Sequence, residues 1–318
     1  MTDAVKVQGH CHERFASVLD AFEKNFQDGR EMGASFAATI DGEFVVDIWG
    51  GYMDEAGTLP WEMDTIANVY STTKAMTALS TLMLVDRGLL DLDAPVAAYW
   101  PEFAQAGKEK VLVRHVLSHT AGLAGFEKPI PPEALYDWDR ITGLLAAQEP
   151  WWEPGTQSGY HALTFGYLLG ELIRRVTGRT VGTFFREEVA DPLDADFHIG
   201  LTEKHDSRVA ELIPPADPEP LDIELSELQE TIRKKMNNPE LSALMSRDRA
   251  WRAAEIPAAN GHGNARSVAR VGAPWPAEEN LTASACCLRP PWKKSSRNSP
   301  AARTLSCSCP SASDWALA

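Results

Sequence analysis

The stretch "NVYSTTKAMTALSTLMLVDRG", residues 68–88, constrains the fold more than any other. Ala75, Met76, Ala78, Leu79, Leu82 and Met83 make a helix that is apolar over most of its circumference, with Gly88 as its stop. A helix of that kind cannot lie on a surface; other elements must cover it on several sides. The chain must therefore build a thick domain around this segment. With 318 residues and 44% hydrophobic content it has the material to do so.

The surrounding elements follow from local patterns. "ERFASVLDAFEKNF" (13–26) places Phe15, Val18, Leu19, Phe22 and Phe26 on one helical face. "GASFAATIDGEFVVDIWGG" (33–51) reads as two strands joined at Asp41-Gly42, a pair suited to a type I′ turn. "LLDLDAPVAAYWPEF" (89–103) is a loop with a short helix, and "VLVRHVLSHTAGL" (111–123) a compact helix broken at Gly122. After "WWEPG", the run to Gly178 is a helix with Phe165, Leu168, Leu169, Leu172, Ile173 and Val176 facing inward. Residues 221–250 are charged and weakly helical, which predicts a surface insertion. "ANGHGNARSVARVGA" (259–273) is a Gly-rich loop leading into a helix.

Net charge is −15, which argues against nucleic acid or an anionic membrane as partner. The N-terminus "MTDAVKVQGHCHERF" lacks the apolar core of a secretory signal, and no run reaches the roughly 18 apolar residues of a membrane helix. The expected location is the cytoplasm. Cys11 stands alone, whereas Cys286, Cys287, Cys307 and Cys309 crowd the end of the chain without a completed ligand pattern. Residues 274–318 show neither a helical nor a strand period and carry +2 against −17 for the remainder. Two readings stand for them: disorder, or a shifted reading frame of a GC-rich gene, since three tryptophans and four cysteines are foreign to disordered segments. The division is thus 1–273 as one domain and 274–318 as an abnormal tail. Within the domain, 10–60 hold the first helix and hairpin, and 61–258 are mainly helical.

At the front of the apolar helix stand Ser71 and Lys74. A bare S-x-x-K arises by chance roughly 0.7 times in a chain of this composition, so the motif alone is weak. At i and i+3 the two side chains share a helix face. A serine hydroxyl becomes a nucleophile only when a base takes its proton, and a buried lysine can be that base. The competing reading makes Ser71 an N-cap and Lys74 a solvated side chain. The motif by itself leaves both open.

Context decides between them. "YSTTK" with its helix, "RHVLSHTAGL", "WEPGTQSGYHALTFGYLLGELI" and "NGHGNARSVAR" occur in that order. Together, over roughly residues 10–273, they resemble the serine β-lactamase-like superfamily, and most of all the family VIII carboxylesterases within it. The resemblance implies an α+β, β-lactamase/transpeptidase-like fold, a helical domain packed on an antiparallel sheet with the site between them. It implies Ser71 as acylated nucleophile, Lys74 as its base and Tyr160 as the tyrosine that shares proton transfer. It implies a small-molecule ester as substrate, with no cofactor and no metal.

Two departures bear on the chemistry. Class C β-lactamases usually carry Tyr-x-Asn where this chain has Tyr160-His161-Ala162, and an alanine cannot grip the amide of a β-lactam. Ester hydrolysis is therefore expected ahead of β-lactam or D-amino-acid peptide hydrolysis. The superfamily's third motif, a Lys-Thr-Gly-like strand that supplies one oxyanion donor, is missing after Ala273, and Gly261-His262-Gly263 belongs to the loop before it. Of the sheet's usual five strands only the hairpin's two are legible, so an inactive truncated product is a further reading. Trp151 and Trp152 are expected either to line or wall the acyl pocket or to sit in the core, His161 to shape the pocket, and His119 to serve a turn.

Overall fold

The structure is a computed structural model that describes residues 5–214 and 235–273. The expectations for 274–318, for its four cysteines and for 221–234 lie outside the described residues. Strand β1 is Gln8–Cys11, helix α1 Ala16–Gln27, strand β2 Gly33–Ile40 and strand β3 Glu43–Gly51. The hairpin turns at Asp41 (φ 50°) and Gly42 (φ 84°), both left-handed as a type I′ turn requires. The sheet has three antiparallel strands in the order β1-β3-β2, one more than the sequence reading counted. β1, "QGHC", was illegible because it has no apolar alternation. It is a strand because β3 offers it a backbone edge, with Gln8 opposite Trp49 and Cys11 opposite Val46.

The apolar segment forms helix α2, Thr72–Asp86, preceded by the short strand β4, Ala67–Asn68. Met76, Leu79, Met83 and Leu84 are buried, and so are Thr73, Thr77, Ser80 and Thr81. The last three hydroxyls donate to the carbonyl one turn back at 2.9–3.3 Å, which removes the cost of burying them. Helix α3 is Val113–Leu117, shorter than the 111–123 expected. It ends at Ser118 because His119 turns left-handed (φ 59°) and Thr120 N–H closes onto the His115 carbonyl at 2.8 Å. Helices α4 (Trp138–Ala147), α5 (Thr164–Thr177) and α6 (Val181–Phe185) follow, with α5 and α6 packed against α2.

The inward residues read for α5 are buried or half-buried as expected, and Gly178 (φ 70°) ends the helix. Gly166 lets α5 approach the backbone of Pro257 and Ala258 so closely that a Cβ there would stand 2.6 Å from both. Strand β5 (Phe197–His198), helix α7 (Arg249–Ala253), strand β6 (His262–Gly263) and helix α8 (Ala265–Gly272) complete the described chain. β6 lies between β4 and β5 in a second small antiparallel sheet, while α8 packs on β2. Among the described residues no helix is long and apolar enough to cross a membrane.

Asn260 organises the loop between α7 and β6. Its side chain donates to the carbonyls of Trp251 (2.8 Å) and Ala254 (2.6 Å) and accepts from Ile256 N–H at 2.9 Å. It is fully buried. Trp251 Nε1–H in turn donates to Asn68 Oδ1 at 2.8 Å, and Asn68 Nδ2 donates to the Ala259 carbonyl at 3.1 Å. Loop 254–260 is thus tied to β4, directly before Ser71. Asn260→Ala would leave three buried backbone groups without partners, and urea unfolding should register a loss of about 3 kcal/mol.

His262 is fully buried, and among the described residues neither ring nitrogen has a hydrogen-bond partner. Burial pushes its pKa down to about 4; the nearby Asn260 carbonyl offsets only part of that. The ring is neutral in the folded protein, whereas an unfolded histidine takes up a proton near pH 6.5. Its stabilising contribution is complete above pH 6.5 and is lost as pH falls toward 4. Replacing His262 by Leu should shrink the stability difference between pH 7 and pH 4.5 by about 2 kcal/mol, measured by urea unfolding at both.

Candidate active site

The strand-to-helix turn that presents Ser71 is strained. Tyr70 has φ 41°, an uncommon angle for a residue with a Cβ. Thr73 holds it there: its hydroxyl donates to the Tyr70 carbonyl at 2.5 Å and accepts from Gly261 N–H at 2.8 Å. Val69 N–H also donates to the Gly261 carbonyl at 2.9 Å. Ser71 therefore sits exposed at the N-terminus of α2 instead of continuing β4. Its hydroxyl makes no cap bond to the helix, as an N-cap serine would. Among the described residues its own N–H has no acceptor either, and the helix dipole adds positive potential at that point.

Lys74 is 8% exposed, so it is not the solvated side chain of the bland reading. Its Nζ donates to Ser71 Oγ at 3.2 Å and to the Ala258 carbonyl at 3.0 Å, and lies 4.7 Å from the centre of the Tyr160 ring. No carboxylate faces the ammonium among these contacts. Burial lowers its pKa below the ordinary lysine value, and the Tyr160 hydroxyl opposes that shift only in part. Tyr160 Oη donates to Ser71 Oγ at 2.7 Å. The structure thus brings Ser71, Lys74 and Tyr160 onto one oxygen, although 89 residues separate the first from the last.

Two histidines set the position of Tyr160. His161 is fully buried: Leu123 N–H donates to its Nε2 at 3.2 Å, and its Nδ1 donates to the Gly159 carbonyl at 2.6 Å. Its backbone N–H donates to His119 Nδ1 at 3.1 Å. His119 stacks on Phe165 and lies 5.1 Å from the Tyr160 ring. Burial pushes the pKa of His161 to about 3 and that of His119 to about 4, where the nearby Lys74 charge acts in the same direction. Both rings are neutral props. His161 holds the Tyr160 segment from below and does not reach the cavity it was expected to shape.

A cavity of about 610 Å³ opens over Ser71, with Ala162, Leu163 and Ala259 on one side and Met236 to Leu241 on the other. Neither Trp151 nor Trp152 is part of its described lining. Trp152 donates to the Thr120 carbonyl at 3.4 Å and packs so tightly under Gly159 that a Cβ there would stand 2.4 Å from its ring. Trp151 receives the Lys235 ammonium over its ring at 5.7 Å. Both tryptophans support the walls from behind. The described end of the expected surface insertion lines the cavity through Met236, Asn237, Pro239, Glu240 and Leu241. Thr73, Asn260 and the Ala258 carbonyl are also essential to the geometry and escaped the sequence reading. Thr73 and the Ala258 carbonyl have partners 188 and 184 residues away, whereas Asn260 acts within its own loop, on Trp251, Ala254 and Ile256.

The Beta-lactamase family model matches residues 19–307, a span that continues past Ala273. The crystal structure of a family VIII carboxylesterase is 47% identical and superposes with a TM-score of 0.77, covering 84% of this chain and 70% of that one. A penicillin-binding protein homologue from Caulobacter crescentus is 42% identical with a TM-score of 0.78, covering 88% and 76%. Esterase/beta-lactamase LipL of Mycobacterium tuberculosis is 40% identical over 274 residues, 84% of this chain. The chain spans 63% of LipL's own length. With a β-lactamase/transpeptidase-like arrangement of helices and antiparallel strands, and with its family's profile running along most of its length, the chain belongs to the Beta-lactamase family.

Proposed function

We propose that this protein is a serine hydrolase that cleaves short-chain carboxylic esters through an acyl-enzyme on Ser71. The observation that carries the reading is the convergence of Lys74 Nζ (3.2 Å) and Tyr160 Oη (2.7 Å) on Ser71 Oγ. With Lys74 neutral, its lone pair accepts the Ser71 proton as Oγ bonds to the ester carbonyl carbon. The carbonyl oxygen becomes an oxyanion, toward which the Ser71 N–H at the start of α2 is one available donor. Collapse expels the alkoxide, which takes a proton from Tyr160, and Tyr160 recovers one from Lys74. Water then repeats the sequence on the acyl-enzyme, releasing the acid and restoring the Ser71 hydroxyl.

Ester cleavage is favoured over β-lactam cleavage by Ala162, which lines the cavity without any hydrogen-bonding group. The similarity to the 47% identical family VIII carboxylesterase and to the esterase/beta-lactamase LipL points the same way. LipL's double name keeps β-lactam hydrolysis as the second reading. Comparing p-nitrophenyl butyrate with nitrocefin separates the two. Butyrate should be turned over at least tenfold faster in kcat/KM, and the reverse order would sink the preference. Failure of folded protein to label with a fluorophosphonate probe would instead support an inactive product.

Ser71→Ala should abolish both turnover and probe labelling. Tyr160→Phe and Lys74→Met should each lower kcat by about 10³ with the fold intact, the range expected for a lost proton-transfer group. The pH profile follows from Lys74. The neutral amine is the active form, and burial lowers its pKa below the ordinary lysine value. The rate should therefore rise with pH through that lowered pKa and level off above it. Lys74→Met should remove the rising limb, which a purely structural role for Lys74 would leave in place.

A further inference from the structure

We propose that the cavity selects its substrates by charge, Glu240 directing it toward neutral and cationic esters and away from esters that carry a second, anionic group. The inference rests on the serine-hydrolase reading and adds the substrate class. In the described lining Glu240 is the one carboxylate, and no lysine or arginine accompanies it. Its side chain is exposed. Ala162, Leu163, Met236 and Leu241 give the rest of the wall an apolar character. Lys74, the cation beside Ser71, is buried in the first turn of α2 and bonds to Ser71 Oγ and the Ala258 carbonyl; it is not part of the described cavity lining.

The wall that bears Glu240 is fixed in place. Asn238 Nδ2 donates to the carbonyls of Phe126 (2.9 Å) and Lys128 (2.8 Å), and Asn238 Oδ1 accepts from Ile130 N–H at 3.1 Å. Pro239 beside it is buried. Lys235 pairs with both oxygens of Glu127 at 2.7 and 2.8 Å. A carboxylate so anchored, with apolar walls around it, focuses its field into the cleft. Across ~6 Å, at an effective dielectric constant between those of a protein surface and bulk water, a unit charge shifts affinity by about tenfold.

The test uses three p-nitrophenyl esters of similar length: the neutral butyrate, the anionic hemiglutarate and the cationic 4-trimethylammoniobutyrate. Wild type should rank them cationic, neutral, anionic in kcat/KM, with the extremes separated by at least about tenfold and the gap narrowing as salt rises from about 0.02 M to about 0.5 M. The chain's charge of −15 also favours cations, so the assignment rests on variants. Glu240→Gln should bring the cation-to-anion ratio toward one and Glu240→Lys should invert it. Glu203→Gln, the same charge change at an exposed position outside the cavity lining, should leave the ratio as it is. A ratio of one in wild type, or a ratio that Glu240→Lys does not move, overturns the charge selection alone. Absence of turnover for all three esters overturns the hydrolase reading, and the charge selection with it.

Discussion

The site depends on holding one lysine nitrogen out of water with no negative charge to balance it. Lys74 Nζ has a backbone carbonyl, a serine oxygen and an aromatic face for company. A surface ion pair would have favoured its charged form, whereas burial lowers its pKa. The arrangement requires that the Ala258 carbonyl be delivered to one point beside α2. Most of the surrounding structure serves that delivery. Asn260 folds loop 254–260 onto itself, Asn68 and Trp251 tie it to β4, and Gly166 lets α5 close against its back.

The strain at Tyr70 belongs to the same arrangement. Thr73 bridges Tyr70 and Gly261, so the turn that exposes Ser71 is braced by the strand that follows the Ala258 loop. Ser71 and Lys74 are therefore positioned through a single set of contacts between β4, α2 and the 254–263 segment. This explains why two-residue strands persist in a helical region: each is a rivet across the site, too short to stand alone as a sheet.

What was legible in the sequence was whatever is settled locally. The apolar circumference of α2, the inward stripe of α5 and the Asp41-Gly42 hairpin each carry their signal within a few residues, and each is present. β1 has no such signal, because its backbone pairing with β3 is its only reason to be a strand. The 111–123 helix was read too long because nothing in "LSHTAG" declares that His119 will turn left-handed. For Trp151, Trp152 and His161 the local sequence does not settle whether a ring lines the pocket or packs behind it. None of the three is in the described cavity lining: the Trp152 ring packs against Gly159, and His161 bonds to Leu123 and Gly159. Ser71, Lys74 and Tyr160 were reached only through the order of four motifs, a statement of resemblance that their own spacing does not contain.

The tether at Asn238 has a consequence for how such a protein can change. The segment 235–241 is held to the loop at 126–130 through Asn238 and Lys235, whereas Ser71, Lys74 and Tyr160 hang from α2, the Ala258 loop and the histidine props. The two supports share no hydrogen bond described here. Substitutions along one rim can therefore accumulate without disturbing the reacting groups, and a lineage can explore new substrates while its chemistry stays fixed. The wall bearing Glu240 and the Ser71–Lys74–Tyr160 group are thus separately supported, the first through Asn238.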